Sequence, residues 1–133
     1  MQYTPNSCLL EDVTRYNVII DGDNVPLEKY HNIVEPELKE LYQGLLSTPL
    51  LICQSNIIFK YKRGHQFDIQ LQCSQTSKKN SADARIIFEA GRMYERGEHI
   101  IIVSNDNIYK ELECAKIIVH QFDAQKKEIN KPH

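Results

Sequence analysis

Three aspartates, far apart in the chain, stand where the local pattern changes. Asp21 opens the turn Asp21-Gly22-Asp23-Asn24, Asp106 lies in Ser104-Asn105-Asp106-Asn107, and Asp83 begins a helical stretch. Carboxylates brought together repel unless they are protonated or neutralised, and hard oxygen ligands of this kind suit Mg²⁺ or Mn²⁺. Each residue also has a local explanation. Asp21, Gly22 and Asn24 suit a tight turn, Asp83 is a first-turn carboxylate favoured by the helix dipole, and Asp106 can cap the short helix after it. Three such residues on one edge of a fold argue for a shared site. Ser104 reads as a turn residue, since no His or Lys is placed in sequence to activate it as a nucleophile.

The elements that must position these residues can be read from periodicity. Tyr16 to Ile20 and His99 to Val103 are apolar, β-branched runs that stop abruptly at the two acidic turns, as buried strands do. Between residues 26 and 46 apolar side chains recur every three or four positions, predicting one helix kinked at Pro36 or two short ones. A strand opening at Leu50-Leu51-Ile52 and a loose alternation over 56–62 come next, then a strictly alternating strand over 67–73 with one wet face. The polar loop 74–81 leads into a helix over 81–96, with Asn80 or Ser81 as its cap and Gly97 as its stop. A short helix over 108–115 and a strand at 117–119 complete the pattern. Strands alternating with helices, two of them apolar throughout, predict a three-layer α/β/α sandwich with a mostly parallel central sheet. In such sheets ligands bind outside the carboxyl ends of the strands, where the strand order reverses. Both acidic turns belong to that edge.

Composition narrows the classes. A chain of 133 residues, 41% of them apolar, suffices for one domain, with flexible ends expected over 1–15 and 124–133. Apolar runs such as Ile100 to Val103 fall far short of the roughly 20 residues of a membrane span. The first residues lack a secretory-signal pattern, so a soluble protein of the reducing cytoplasm, or the nucleus, is expected. The four cysteines are widely spaced and read as small apolar residues. The net charge of -2 conceals an uneven distribution. Residues 1–55 carry 3 basic and 8 acidic side chains, 56–96 carry 8 and 4, and 97–133 carry 5 and 6. Only the middle third is basic, so contact with nucleic acid has to be local.

At the acidic turns the chain resembles the NYN branch of the PIN-like ribonucleases. Residues 17–25 are similar to that family's first strand and its Asp-Gly-x-Asn-Val turn. Residues 104–112 are similar to the Ser-Asn-Asp turn and Tyr-Arg-Asp-Leu stretch of Regnase-type members, and Asp83-Ala84-Arg85 to their Asp-Asp-Arg. The resemblance implies a single PIN-like domain over 1–133 and a metal-dependent ribonuclease acting on single-stranded RNA, endonucleolytic rather than exonucleolytic. It places Asp21, Asp83 and Asp106 as catalytic and metal-binding acids for Mg²⁺ or Mn²⁺, with Asn24 and Ser104 in support. Ala84 and Ile108 stand where relatives carry further acids, which makes Asp23 and Glu111 candidate substitutes. RNA is the expected partner, and a homodimer is compatible with the family's habit of pairing.

An acidic site repels RNA unless it has a basic rim. Lys60, Lys62, Arg63, Lys78, Lys79, Arg85 and Arg92 are the candidates for backbone contact, with the 78–79 pair foremost, and Tyr61 and Phe67 could stack on bases. Two other readings are open. A PIN-like module without catalysis would bind RNA or protein, and the Asp-x-Asp start at Asp21 and Asp23 also fits a haloacid-dehalogenase-like phosphatase. Against the phosphatase, only 29 residues come after Ser104, and they contain no paired acids after another strand.

Overall fold

The structure is a computed structural model that describes residues 14–61 and 69–122. Five strands make one sheet: β1 (Tyr16–Asp21), β2 (Leu50–Cys53), β3 (Gln70–Cys73), β4 (His99–Val103) and β5 (Ile117–His120). Their spatial order is β3-β2-β1-β4-β5, and every pairing is parallel. The chain steps outward from β1 to β3, then returns to lay β4 on the other side of β1. The order therefore reverses between β1 and β4, whose ends carry the two acidic turns.

Helix α1 (residues 27–41) covers one face and α2 (Ser81–Glu95) the other, giving the three-layer α/β/α arrangement. Strand alternation assigns the side chains. Val18, Ile20, Ile101 and Val103 pack under α1 with Tyr30, Val34 and Leu38. Ile19, Ile100 and Ile102 pack under α2 with Ala82, Ile86 and Ala90. Asp21 is two residues beyond Ile19 and Ser104 two beyond Ile102, so both turn toward the α2 layer. Ile19 pairs with Ile102 and Ile20 with Val103, and that register brings Asp21 and Ser104 side by side.

Several local expectations change. The run 27–41 is helical throughout, but Tyr30–Val34 is a π-helical turn placed just before Pro36, which has no N–H to donate. Ser55–Lys60 is a 3₁₀ helix rather than part of a strand, and Ile57 and Ile58 anchor it on the α1-side core. Asn107–Leu112 is also 3₁₀. Neither Asn80 nor Ser81 caps α2 through its side chain: Asn80 takes φ 66°, and Ser81 Oγ donates to Thr76 O at 2.9 Å. Gly97, at φ 80°, does end α2, with the Glu98 N–H donating back to Met93 O. Cys53 is buried and Cys73 half-buried, but Cys114 is exposed rather than core. Among the described residues no helix is long and apolar enough to cross a membrane. The ends expected to be flexible, apart from residues 14 and 15, lie outside the described residues, as do Cys8, Lys62, Arg63 and Phe67.

Candidate functional site

β1 ends on Asp21, which is 2% exposed although it is a carboxylate. Its Oδ2 accepts from Ser104 Oγ at 2.8 Å and lies 3.4 Å from the hydroxyl of Tyr109. The same Tyr109 hydroxyl donates to Asp83 Oδ1 at 3.0 Å. One phenol thus joins the end of β1 to the first turn of α2, and its ring is fully buried in the α2-side core. Sequence reasoning did not single out Tyr109. The available signal was a phenol three residues after Asp106, inside the stretch that resembles the Regnase-type pattern.

The two acidic turns are stitched together by short polar side chains. Asn24 Oδ1 accepts from the Asn105 N–H at 2.9 Å, and Asn105 Oδ1 accepts from the Phe122 N–H at 2.6 Å. Ser104 Oγ accepts from the Asp106 N–H at 3.0 Å while donating to Asp21. Asp106 Oδ1 accepts from the Ile108 N–H at 3.1 Å, so Asp106 also caps the 3₁₀ helix that delivers Tyr109. The local explanation of Asp106 and its place beside the site hold together.

Gly22 is required for space. Its N–H donates to Ile52 O at 2.8 Å, and a Cβ there would lie 2.5 Å from Leu51 Cδ2 and 3.0 Å from Cys53 Cβ. The turn presses against the end of β2. Tyr61, expected to stack on bases, is instead buried in the core and donates its hydroxyl to Gly22 O at 2.9 Å. It buttresses the turn from within the α1-side core.

Crowding shows in the titration of the acids. Burial pushes Asp21 up to about 6, with Asp83 and Asp23 adding repulsion and the Ser104 hydrogen bond opposing it. Asp83 is also raised, by burial first and by Asp106 and Asp23 in addition, against the hydrogen bond from Tyr109. The same carboxylates, after burial, drive the Tyr109 phenol far above its ordinary value, so it remains a donor. Among the described residues no Lys, Arg or His forms an ion pair with Asp21, Asp83 or Asp106.

The other candidates are distributed unevenly. Asp23 is exposed, and its Oδ1 accepts from the Gln54 N–H at 2.9 Å, which holds it at the β2 rim. Glu111 is exposed on the 3₁₀ helix, and the hydrogen bonds of Asp21 and Asp83 run to Ser104 and Tyr109 instead of toward it. Lys78 and Lys79 are exposed in the loop that feeds α2, shortly before Asp83 in the chain. Arg85 is half-buried, 3.8 Å from Glu89, and Lys60 is exposed at the end of the first 3₁₀ helix.

Among the described residues no three His, Cys, Asp or Glu side chains make a ready-made cage for an ion. Two carboxylates share one phenol, with two more at the rim. Mg²⁺ is held in this sparse manner, by one or two carboxylates together with waters and substrate phosphate rather than by an all-protein cage. Hard oxygen donors, crowded and without a cationic partner, fit such an ion. No protein-family model, curated protein or solved structure matches the chain.

Proposed function

We propose that the chain is a metal-dependent ribonuclease of PIN-like type acting on single-stranded RNA. The observation that carries the reading is the meeting of Asp21 and Asp83 on the Tyr109 hydroxyl, at 3.4 and 3.0 Å, at the edge where the strand order reverses. Carboxylates that repel one another where burial also disfavours their charge are costly to keep, and a divalent cation is the neutraliser that offsets that cost.

Asp21 and Asp83 would hold Mg²⁺ or Mn²⁺ directly, with Asp106 and Asp23 contributing charge or reaching it through water. Bound there, the ion would supply a Lewis acid to the phosphodiester and make water a competent nucleophile at neutral pH. The protein's own part is orientation. Ser104 fixes one oxygen of Asp21, Tyr109 fixes one of Asp83, and the Asn24–Asn105 bond holds the two turns at a constant distance. Asp83 is only partly buried, so an ion held there would stay open to water and to a substrate phosphate. Lys78 and Lys79 would meet the RNA backbone beside the first turn of α2.

The phosphatase alternative needs Asp21 to attack a phosphate in the open. Its burial at 2% exposure under Ser104 and Tyr109 counts against that attack. The test is incubation of purified protein and its Asp21→Asn and Asp83→Asn variants with labelled single-stranded RNA in Mn²⁺, Mg²⁺ or EDTA. Cleavage that needs the ion and both aspartates supports the reading. Absent cleavage, or cleavage indifferent to both variants, sinks it.

A further inference from the structure

α2 presents to solvent a face that the folding core does not use. At its centre Phe88 is 53% exposed, a large apolar surface to leave in water on a helix whose other side is buried through Ala82, Ile86 and Ala90. An open hollow of about 360 Å³ is lined by the ring together with Ser74, Thr76, Ser81, Ala84 and Arg85. A second hollow, of about 550 Å³, is lined by the ring together with Gly91 and Arg92. Phe88 is the ridge between them.

The surroundings of the ring point to the chemistry of the occupant. The guanidinium carbon of Arg85 is 5.2 Å from the ring centroid and that of Arg92 is 5.7 Å away. Both arginines have Glu89 as their partner, at 3.8 and 3.3 Å; Arg92 is exposed, whereas Arg85 and Glu89 are half-buried. At the edge of the first hollow Ser74 Oγ donates to Thr76 O at 2.6 Å and lies 2.8 Å from Ser81 Oγ. An exposed aromatic ring, two guanidiniums and a mostly apolar hollow match a nucleobase with its phosphates. The patch lies on the helix that carries Asp83, with Ser81, Ala84 and Arg85 within two residues of it in the chain.

We infer that Phe88 is a base-stacking platform that seats one nucleotide of a single-stranded RNA in the cavity beside it, with Arg85 and Arg92 on the adjoining phosphates, and so leads the strand to Asp83. The inference rests on the ribonuclease reading for its substrate class. It replaces the stacking role expected of Tyr61, which the core has taken.

The test is fluorescence anisotropy of a short labelled oligouridylate in EDTA, which suppresses cleavage, with wild type, Phe88→Ala and Phe88→Tyr. Phe88→Ala should bind roughly 5- to 150-fold more weakly, as the loss of one base–aromatic stack does, and Phe88→Tyr should bind like wild type. Oligomers lacking a single base should reproduce that loss with wild type at one position and cause no additional loss with Phe88→Ala. The ring is exposed, and circular dichroism verifies that the variants fold.

Wild-type affinity in Phe88→Ala, alongside metal-dependent cleavage by wild type, overturns the inference and leaves the nuclease reading intact. Phe88-dependent binding without any metal-dependent cleavage does the opposite. No binding by wild type overturns the inference. A dimer that Phe88→Ala dissociates assigns the patch to a second copy of the chain and also overturns it.

Discussion

Replacing Asp21 by Asn should make the metal-free protein more stable at neutral pH while abolishing cleavage. In the unfolded chain this carboxyl ionises near its ordinary value, whereas in the fold burial and its acidic neighbours hold it to about 6. A raised carboxyl favours the fold while it carries its proton, and that advantage is lost as pH rises from the unfolded value through the folded one. From 3.8 to about 6 the difference amounts to about 3 kcal/mol. Of this, about 2 kcal/mol falls between pH 4.5 and pH 8. Asn keeps an acceptor for Ser104 and Tyr109 and loses the bond from the Asp23 N–H, which is only 3.3 Å long in the wild type. That loss is independent of pH, so it displaces the variant's curve without tilting it. The assay is urea unfolding of both proteins in EDTA at several pH values. The midpoint of wild type relative to the variant should fall by roughly 1 M between pH 4.5 and pH 8. Millimolar Mn²⁺ or Mg²⁺ should cancel most of that fall in wild type and leave the variant unchanged. Parallel midpoints across the range would refute the reasoning, because they would mean that Asp21 ionises in the fold as it does in water.

The same geometry sets three further outcomes. Tyr109→Phe keeps the buried ring and removes the hydroxyl shared by Asp21 and Asp83; cleavage should fall roughly 10- to 100-fold, with a loss of stability of only about 1 kcal/mol, measured by rate and urea midpoint. Ser104→Ala removes the 2.8 Å hydrogen bond that holds the pKa of Asp21 down, so the pH at which stability levels off should move above about 6, read from the same titration. Gly22→Ala drives a Cβ to within 2.5 Å of Leu51 Cδ2 and 3.0 Å of Cys53 Cβ; destabilisation of about 1–3 kcal/mol is expected, and an unchanged midpoint would show that the turn has room.

Much of the architecture was legible because burial writes itself into the chain. Residues 18–20 and 100–103 are apolar on both faces, and only a central parallel strand needs that. The stripe of Ile86, Ala90 and Met93 with the stop at Gly97 marked α2 equally plainly. Less legible were segments whose shape depends on what they pack against. Residues 55–60 have a mixed pattern, and they become a 3₁₀ helix because β2 ends at Cys53 and the chain must turn over the core. Tyr61 carries no local sign of whether its ring faces water or the underside of the Asp21 turn, and Tyr109 none of having two carboxylates within reach.

The sequence by itself determined which residues had chemistry to offer and which edge would carry them. Turn-forming acids placed directly after apolar strands must emerge at the carboxyl ends of a parallel sheet, and their distance along the chain does not alter that. Only the tertiary structure decided which acids meet. The order β3-β2-β1-β4-β5 makes β1 and β4 neighbours, and the parity of Ile19 and Ile102 turns Asp21 and Ser104 toward α2. Asp83 then joins them through Tyr109, and Glu111 is left in solvent. Pairing order and facing depend on contacts between residues about 80 positions apart, which no local pattern encodes.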